Sequence, residues 1–222
     1  MKALIGLSSP AIFLMMILSI HAGWLGQGIT GEGPVLDESR DVAAFSEIVL
    51  DGSIDARITA ADTQSVMVRA QQNILPLIVT EVSGDTLRVG LEKSCSTSET
   101  MEIIIEVPRL TAISIIGSGD VEASGPFGND ELALGIRGSG DLAVSGLSLE
   151  SLTCDVIGSG DMTVRGSAAT AAYAIKGSGD INAFDLKAGT VTASVHGSGD
   201  IKVHAETSLD AQVYGSGDIR YT

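Results

Sequence analysis

From Thr111 onward the chain alternates apolar and polar residues in short runs, and the runs recur in step. Val121, Leu142, Met162, Ile181, Ile201 and Ile219 each begin an apolar-polar-apolar triplet closed by Ala123, Val144, Val164, Ala183, Val203 and Tyr221. A second set, Ile113-Ser-Ile115, Leu134-Gly-Ile136, Cys154-Asp-Val156, Tyr173-Ala-Ile175, Ala193-Ser-Val195 and Ala211-Gln-Val213, has the same period of two. That period predicts half-buried strands with one apolar face. Between the two strands of every pair stands the same tetrapeptide, Gly-Ser-Gly-Asp, at 117–120, 138–141, 158–161, 177–180, 197–200 and 215–218. The spacings are 21, 20, 19, 20 and 18 residues.

Lengths decide what the tetrapeptide does. The common part of each repeat is 13 residues, and only the remaining 5 to 8 vary. Thirteen residues in one straight strand would cover roughly 43 Å. A return of 5 to 8 residues spans at most about 28 Å, so a straight coil could not close. The chain must bend within the 13, and the glycine pair is the consistent place, because glycine accepts positive φ and close backbone approach. Gly-Ser-Gly-Asp is therefore predicted to be the corner of a coil, with the variable segment as a return loop. Coils stacked about 4.8 Å apart place the Ile/Val columns over one another. The expected fold is all-β, a parallel β-helix of ~20-residue coils. A row of antiparallel hairpins forming a sandwich is the alternative.

Upstream the alternation continues less regularly. Phe45-Ser-Glu-Ile-Val-Leu-Asp-Gly-Ser-Ile-Asp-Ala-Arg-Ile58 reads as a degenerate coil, with Asp51-Gly52-Ser53 at the corner. Further strands are expected at Ser65–Arg69, Leu77–Val79, Thr86–Val89 and Met101–Val107, the last ended by Pro108. Residues 41–110 are read as an irregular N-terminal β cap and 111–222 as the six-repeat solenoid. The strand after the last corner is short, and its unpaired edge is a candidate surface for self-association.

The first 22 residues change the compartment. A basic start at Lys2, an uncharged run from Ala3 to Ile20 and His21-Ala22-Gly23 have the layout of a cleaved signal peptide. The protein is then exported to the periplasm, cell surface or extracellular space. An uncleaved membrane anchor is the alternative, although Gly6, Ser8, Ser9 and Pro10 shorten the apolar stretch. Residues 23–40 read as a flexible linker.

Composition narrows the chemistry. The net charge of −15 excludes nucleic acid as a partner, since phosphate binding needs a basic footprint. Aromatics at 4% mean a core of small aliphatic side chains. Of the two cysteines, Cys154 falls in a core column and Cys95 does not, so a disulfide between them is the lesser reading. Catalysis is not expected, because six equal corners are not one unequal constellation. His196 and His204 fall at the surface, and Arg137, Arg165, Lys176 and Lys202 are scattered. No cofactor fingerprint is present.

The corner aspartates, Asp120, Asp141, Asp161, Asp180, Asp200 and Asp218, are the candidate site. Stacked carboxylates repel by roughly 0.8 kcal/mol per neighbour in water at ~5 Å. Either backbone N–H groups and serines satisfy them, which is the structural reading, or Ca²⁺ bridges them.

Six such corners, following Phe45-Ser-Glu-Ile-Val-Leu-Asp-Gly52 and Asn73-Ile-Leu-Pro-Leu-Ile78, resemble the bacterial "putative auto-transporter adhesin, head GIN domain" family over about residues 45–222. The resemblance implies an exported right-handed parallel β-helix and carries over no catalytic residue. It favours an adhesin-like module of the cell envelope that binds a glycan or an envelope protein. A self-associating structural protein is the alternative, and a polysaccharide-degrading β-helix enzyme the least favoured reading.

Overall fold

The computed structural model describes residues 28–222. The proposed signal peptide and residues 23–27 lie outside them; the rest of the expected flexible linker is not free chain, since residues 35–39 form a strand paired antiparallel with residues 67–71.

Seventeen strands occur among the described residues. They are β1 (Ile29–Thr30), β2 (Val35–Ser39), β3 (Glu47–Gly52), β4 (Asp55–Ala60), β5 (Ser65–Gln71), β6 (Ile78–Ser83), β7 (Thr86–Leu91), β8 (Cys95–Ser96), β9 (Glu102–Val107), β10 (Ala112–Gly117), β11 (Val121–Ser124), β12 (Glu131–Gly138), β13 (Leu142–Gly158), β14 (Met162–Gly177), β15 (Ile181–Gly197), β16 (Ile201–Gly215) and β17 (Ile219–Tyr221). One 3-10 turn, Leu75–Leu77, joins β5 to β6. From β10 onward the strands pair in parallel and wind as a solenoid.

Each coil has a side before the corner and a side after it. Before the corner the stacking runs β7, β3, β10, β12 and then the later parts of β13 to β16. After the corner it runs β9, β4, β11, then the earlier parts of β13 to β16, and β17. Register is kept residue for residue: Ile115 lies beside Ile136, Ile136 beside Val156, Val156 beside Ile175 and Ile175 beside Val195. All five are at most 1% exposed. Burying such side chains contributes about 1.5–3 kcal/mol each, and this column is the spine of the core.

The return segments are strands rather than the predicted loops. β13, β14, β15 and β16 run unbroken around the bend, and Leu147-Ser148-Leu149 pairs with Gly166-Ser167-Ala168 as a third, narrower side. Leu147, Ala168, Leu186 and Ala188 are buried there. The length differences between repeats are absorbed by bulges, where the register shifts between Val144 and Leu147, Thr163 and Gly166, and Ala183 and Lys187. A bulge adds a residue to one strand without ending the pairing.

The N-terminal region is built differently. β3 and β4 form a coil that stacks directly on β10 and β11. β7 and β9 form another on its far side, joined by residues 92–101 instead of a tight corner. Beyond them the chain reverses: β5 runs antiparallel to β9, β6 antiparallel to β7, and β2 antiparallel to β5. The β7–β9 coil thus comes later in sequence but is inserted between the first coil and the reversed layer. Val66, Val68, Ala70, Ile74, Leu75 and Ile78 close that end of the core.

Candidate functional site

The corner is best understood from its two glycines. Gly158 has φ +131°, a region that L side chains rarely adopt, and Gly160 does not need positive φ. Both are nevertheless required by proximity. A Cβ on Gly158 would sit 2.2 Å from the carbonyl oxygen of Gly138, and one on Gly160 would sit 2.1 Å from that of Gly140. Successive corners therefore stack backbone on backbone.

Stacking leaves polar groups to satisfy. The N–H of Ser159 donates to the Gly138 carbonyl at 2.9 Å, and the N–H of Gly160 shares the same oxygen at 3.2 Å. The next N–H, that of Asp161, is paired with a side chain instead of a carbonyl. It donates to Oδ1 of Asp141 at 2.8 Å. The arrangement repeats along the whole edge: the Asp120, Asp141, Asp180, Asp200 and Asp218 N–H groups donate to Oδ1 of Asp55, Asp120, Asp161, Asp180 and Asp200, at 2.8 to 3.0 Å. Each aspartate carbonyl in turn accepts from the coil before it, as when Leu142 N–H donates to the Asp161 carbonyl at 2.9 Å. An N–H bonded to a carboxylate contributes about 1.5–3 kcal/mol. That exceeds the roughly 0.8 kcal/mol of repulsion between neighbours. The ladder holds because each charge takes the place of a missing backbone acceptor.

Asp55 begins this ladder, which moves the degenerate corner one residue along from its predicted place. It is Gly52-Ser53-Ile54-Asp55, with Gly52 in register with Gly117. Comparing Gly-Ser-Ile-Asp with Gly-Ser-Gly-Asp is the signal that could have found it.

The six repeat aspartates lie along one ridge, all exposed except the half-buried Asp200. At its C-terminal end Arg220 reaches Oδ2 of both Asp200 and Asp218, at 3.5 and 3.3 Å. Beside the ridge runs a shallow groove of about 530 Å³ lined by Arg57, Glu102, Asp120, Glu122, Asp141 and Asp161. Among the described residues no three His, Cys, Asp or Glu side chains are grouped to hold a metal ion.

On the other flank of the corner a different column forms. The residues preceding the first glycine, Ile116, Arg137, Ile157, Lys176, His196 and Tyr214, stand side by side in register. Ile116, Ile157 and Tyr214 are 37%, 41% and 60% exposed, and the His196 and Tyr214 rings stack at 4.7 Å. Asp155 lies two residues before Ile157 on the same outward face and is exposed. Burial pushes its carboxyl pKa up, partly offset by Lys176 and Arg137. Arg137 and Lys176 are scattered along the sequence, but the register brings them into one line with His196. Arg165 stands on another side against Asp185, at 3.5 Å, and Lys202 and His204 are half-buried in β16.

The cysteines are both free, Cys154 buried and Cys95 partly exposed. Cys154 lies in the core beside Tyr173, and burial raises the pKa of both.

A corner of this kind, repeated in register over about half of the chain, points to a family. Residues 44–222 match the family described as "putative auto-transporter adhesin, head GIN domain". The chain belongs to it. A putative adhesin from Bacteroides fragilis has a similar structure, with a TM-score of 0.77 at 26% identity, covering 88% of this chain and all of that one. A putative lipid binding protein from Parabacteroides distasonis shares the fold at 21% identity, TM-score 0.68, over 88% of this chain and all of its own. A putative adhesin from Parabacteroides merdae does so at 18% identity, TM-score 0.66, over 89% and 100%. No protein among the curated sequences matches. Among the described residues no helix is long and apolar enough to cross a membrane.

Proposed function

We propose that the head GIN chain is an exported, non-enzymatic binding module of the bacterial cell envelope, in which the solenoid presents a long, regular surface to a partner. One observation carries this reading. The surface is stacked in register coil by coil, an identical ridge of Ser and Asp beside the varied line from Ile116 to Tyr214. Such a surface suits an extended or repetitive partner, where many modest contacts add. Family membership and the likeness to the B. fragilis adhesin support the same reading. The charge-free run Ala3–Ile20 supports export.

Labelled protein incubated with intact bacteria, isolated envelope fractions and a glycan array is the test. Saturable binding to one of them is expected, with no new reducing ends or unsaturated products from the glycans. Failure to bind any of the three would overturn the reading, and turnover of a glycan would overturn its non-enzymatic part.

A further inference from the structure

We propose that the side of the solenoid before the corner is a binding trough for an extended, uncharged polysaccharide lying along the solenoid axis. The proposal rests on the binding-module reading and names its ligand class and surface. The trough has a raised rail and a low floor. The rail is the column from Ile116 to Tyr214. The floor is the neighbouring row, small at Ser114, Gly135, Ala174 and Ser194, with Asp155 and Gln212 standing among them. Six coils at about 4.8 Å give a rail about 24 Å long, enough for several sugar rings end to end.

The chemistry of the rail fits sugars in two ways. The stacked His196 and Tyr214 rings and the exposed faces of Ile116 and Ile157 offer apolar contact for the C–H faces of pyranose rings. An aromatic face, electron-rich at its centre, attracts such polarised C–H groups. Between these lie donors and an acceptor for hydroxyls: Arg137 and Lys176 on the rail, Asp155 on the floor between them. Among the described residues neither cation is in an ion pair. Charged groups that already sit at a surface without partners lose least by turning to a ligand's hydroxyls.

Charge selects against acidic polymers. The rail residue and the corner aspartate of each coil are four positions apart, within about 13 Å of chain reach. A polyanion on the rail would run beside the whole carboxylate ladder, on a protein of net charge −15. Two cations, Arg137 and Lys176, do not outweigh that field. A neutral chain pays no such cost.

Affinity electrophoresis of the full chain in native gels tests this, because the acidic protein migrates freely unless the gel polysaccharide holds it back. The gels would contain linear β-glucan, mannan, xylan or polygalacturonate. Retardation by at least one neutral polymer and none by polygalacturonate is expected. H196A/Y214A and Asp155→Asn should each weaken retardation about tenfold. Arg165→Ala, on another side, should leave it unchanged. These side chains are exposed, and circular dichroism checks that each variant folds. No retardation by any neutral polymer, retardation only by polygalacturonate, or retardation unaffected by the rail variants would each overturn the proposal. Continued binding to envelope fractions would then leave the binding-module reading standing with a different ligand.

Discussion

The coils carrying the repeat and the two coils at the N-terminal end bury the same kind of core but hold their edges differently. In the repeat region the corner is two glycines packed on the glycines of the coil before, and the edge is knitted by carboxylate to N–H bonds. In the N-terminal region the corner loosens, then disappears, and charged side chains tie neighbouring strands instead. Arg88 pairs with Asp51, Arg57 with Glu102 at 3.2 Å and Arg69 with Asp37 at 2.7 Å. Gln71, 9% exposed, adds a hydrogen bond from Thr97 at 2.6 Å that ties β5 to the 92–101 segment. Identical corners leave no room for variation, whereas a varied edge admits ordinary side chains at the cost of weak, exposed pairs.

The sharpest way to break this contrast is to add one methyl group in each region. Gly160→Ala would drive a Cβ to 2.1 Å from the Gly140 carbonyl oxygen, and backbone on both sides has nowhere to go. We expect a loss of more than about 4 kcal/mol, or failure to fold as one unit. Gly52→Ala meets nothing within 4 Å and suffers only from its φ of +119°. Its cost should be about 1–2 kcal/mol. Urea unfolding of the two variants decides it, and equal costs would mean that corner stacking does not hold the coils together.

Next in size are the ladder and the core. Asp161→Ala leaves the N–H of Asp180 without its acceptor and should cost about 1–2 kcal/mol. Asp161→Asn keeps an acceptor oxygen and removes a charge from a row of like charges, so it should fall within about 0.5 kcal/mol of the parent. If Asn costs as much as Ala, the charge itself is what the edge needs, and thermal melts with EDTA and with millimolar Ca²⁺ should then differ. Tyr173→Phe probes the interior. The Tyr173 hydroxyl is buried with no partner among the described residues. Removing it should raise stability by about 1 kcal/mol, read as a higher urea midpoint at unchanged slope.

What could be read from the sequence follows the same division. Six identical tetrapeptides fix one another's alignment, so Ile115, Val156 and Ile175 could be placed in a single core column without knowing the fold. Ile54 hid the seventh corner because it stands where the others have glycine. It is tolerated there because no tight corner stacks before it, and its side chain is buried at 2% exposure. The third side is not legible in the sequence because the register shift after Val144 interrupts the alternation just before Leu147. The reversed layer of β5 and β6 was invisible for a different reason: alternation reports which face is buried, not which way a strand runs. The line of Arg137, Lys176 and His196 needed the register of distant strands before it became a line at all.

The smallest effects are expected from pH, and they should have opposite signs in the two regions. Asp37 sits on the N-terminal edge, where the hydrogen bond from Arg69 and its charge hold the carboxyl below its usual value of 3.8. A group with a lowered folded-state value contributes stability above 3.8, and loses it as pH falls through the folded value. Asp37→Asn should therefore lower the melting temperature slightly at pH 7, with the difference vanishing in acid. Asp155 sits in the repeat region and is shifted upward, chiefly by burial. Its folded state binds the proton more tightly than the unfolded state, so stability is greatest below 3.8 and declines as pH rises through the folded value. Asp155→Asn should then raise the melting temperature at pH 7 and be neutral at low pH. A thermal melt series from pH 3 to 8 on both variants reads the two slopes. If Asp155→Asn instead destabilises the protein at pH 7, then Arg137 and Lys176 bind that carboxylate more strongly than burial opposes it. The trough would have its cations satisfied internally, and its case for holding a ligand's hydroxyls would weaken with them.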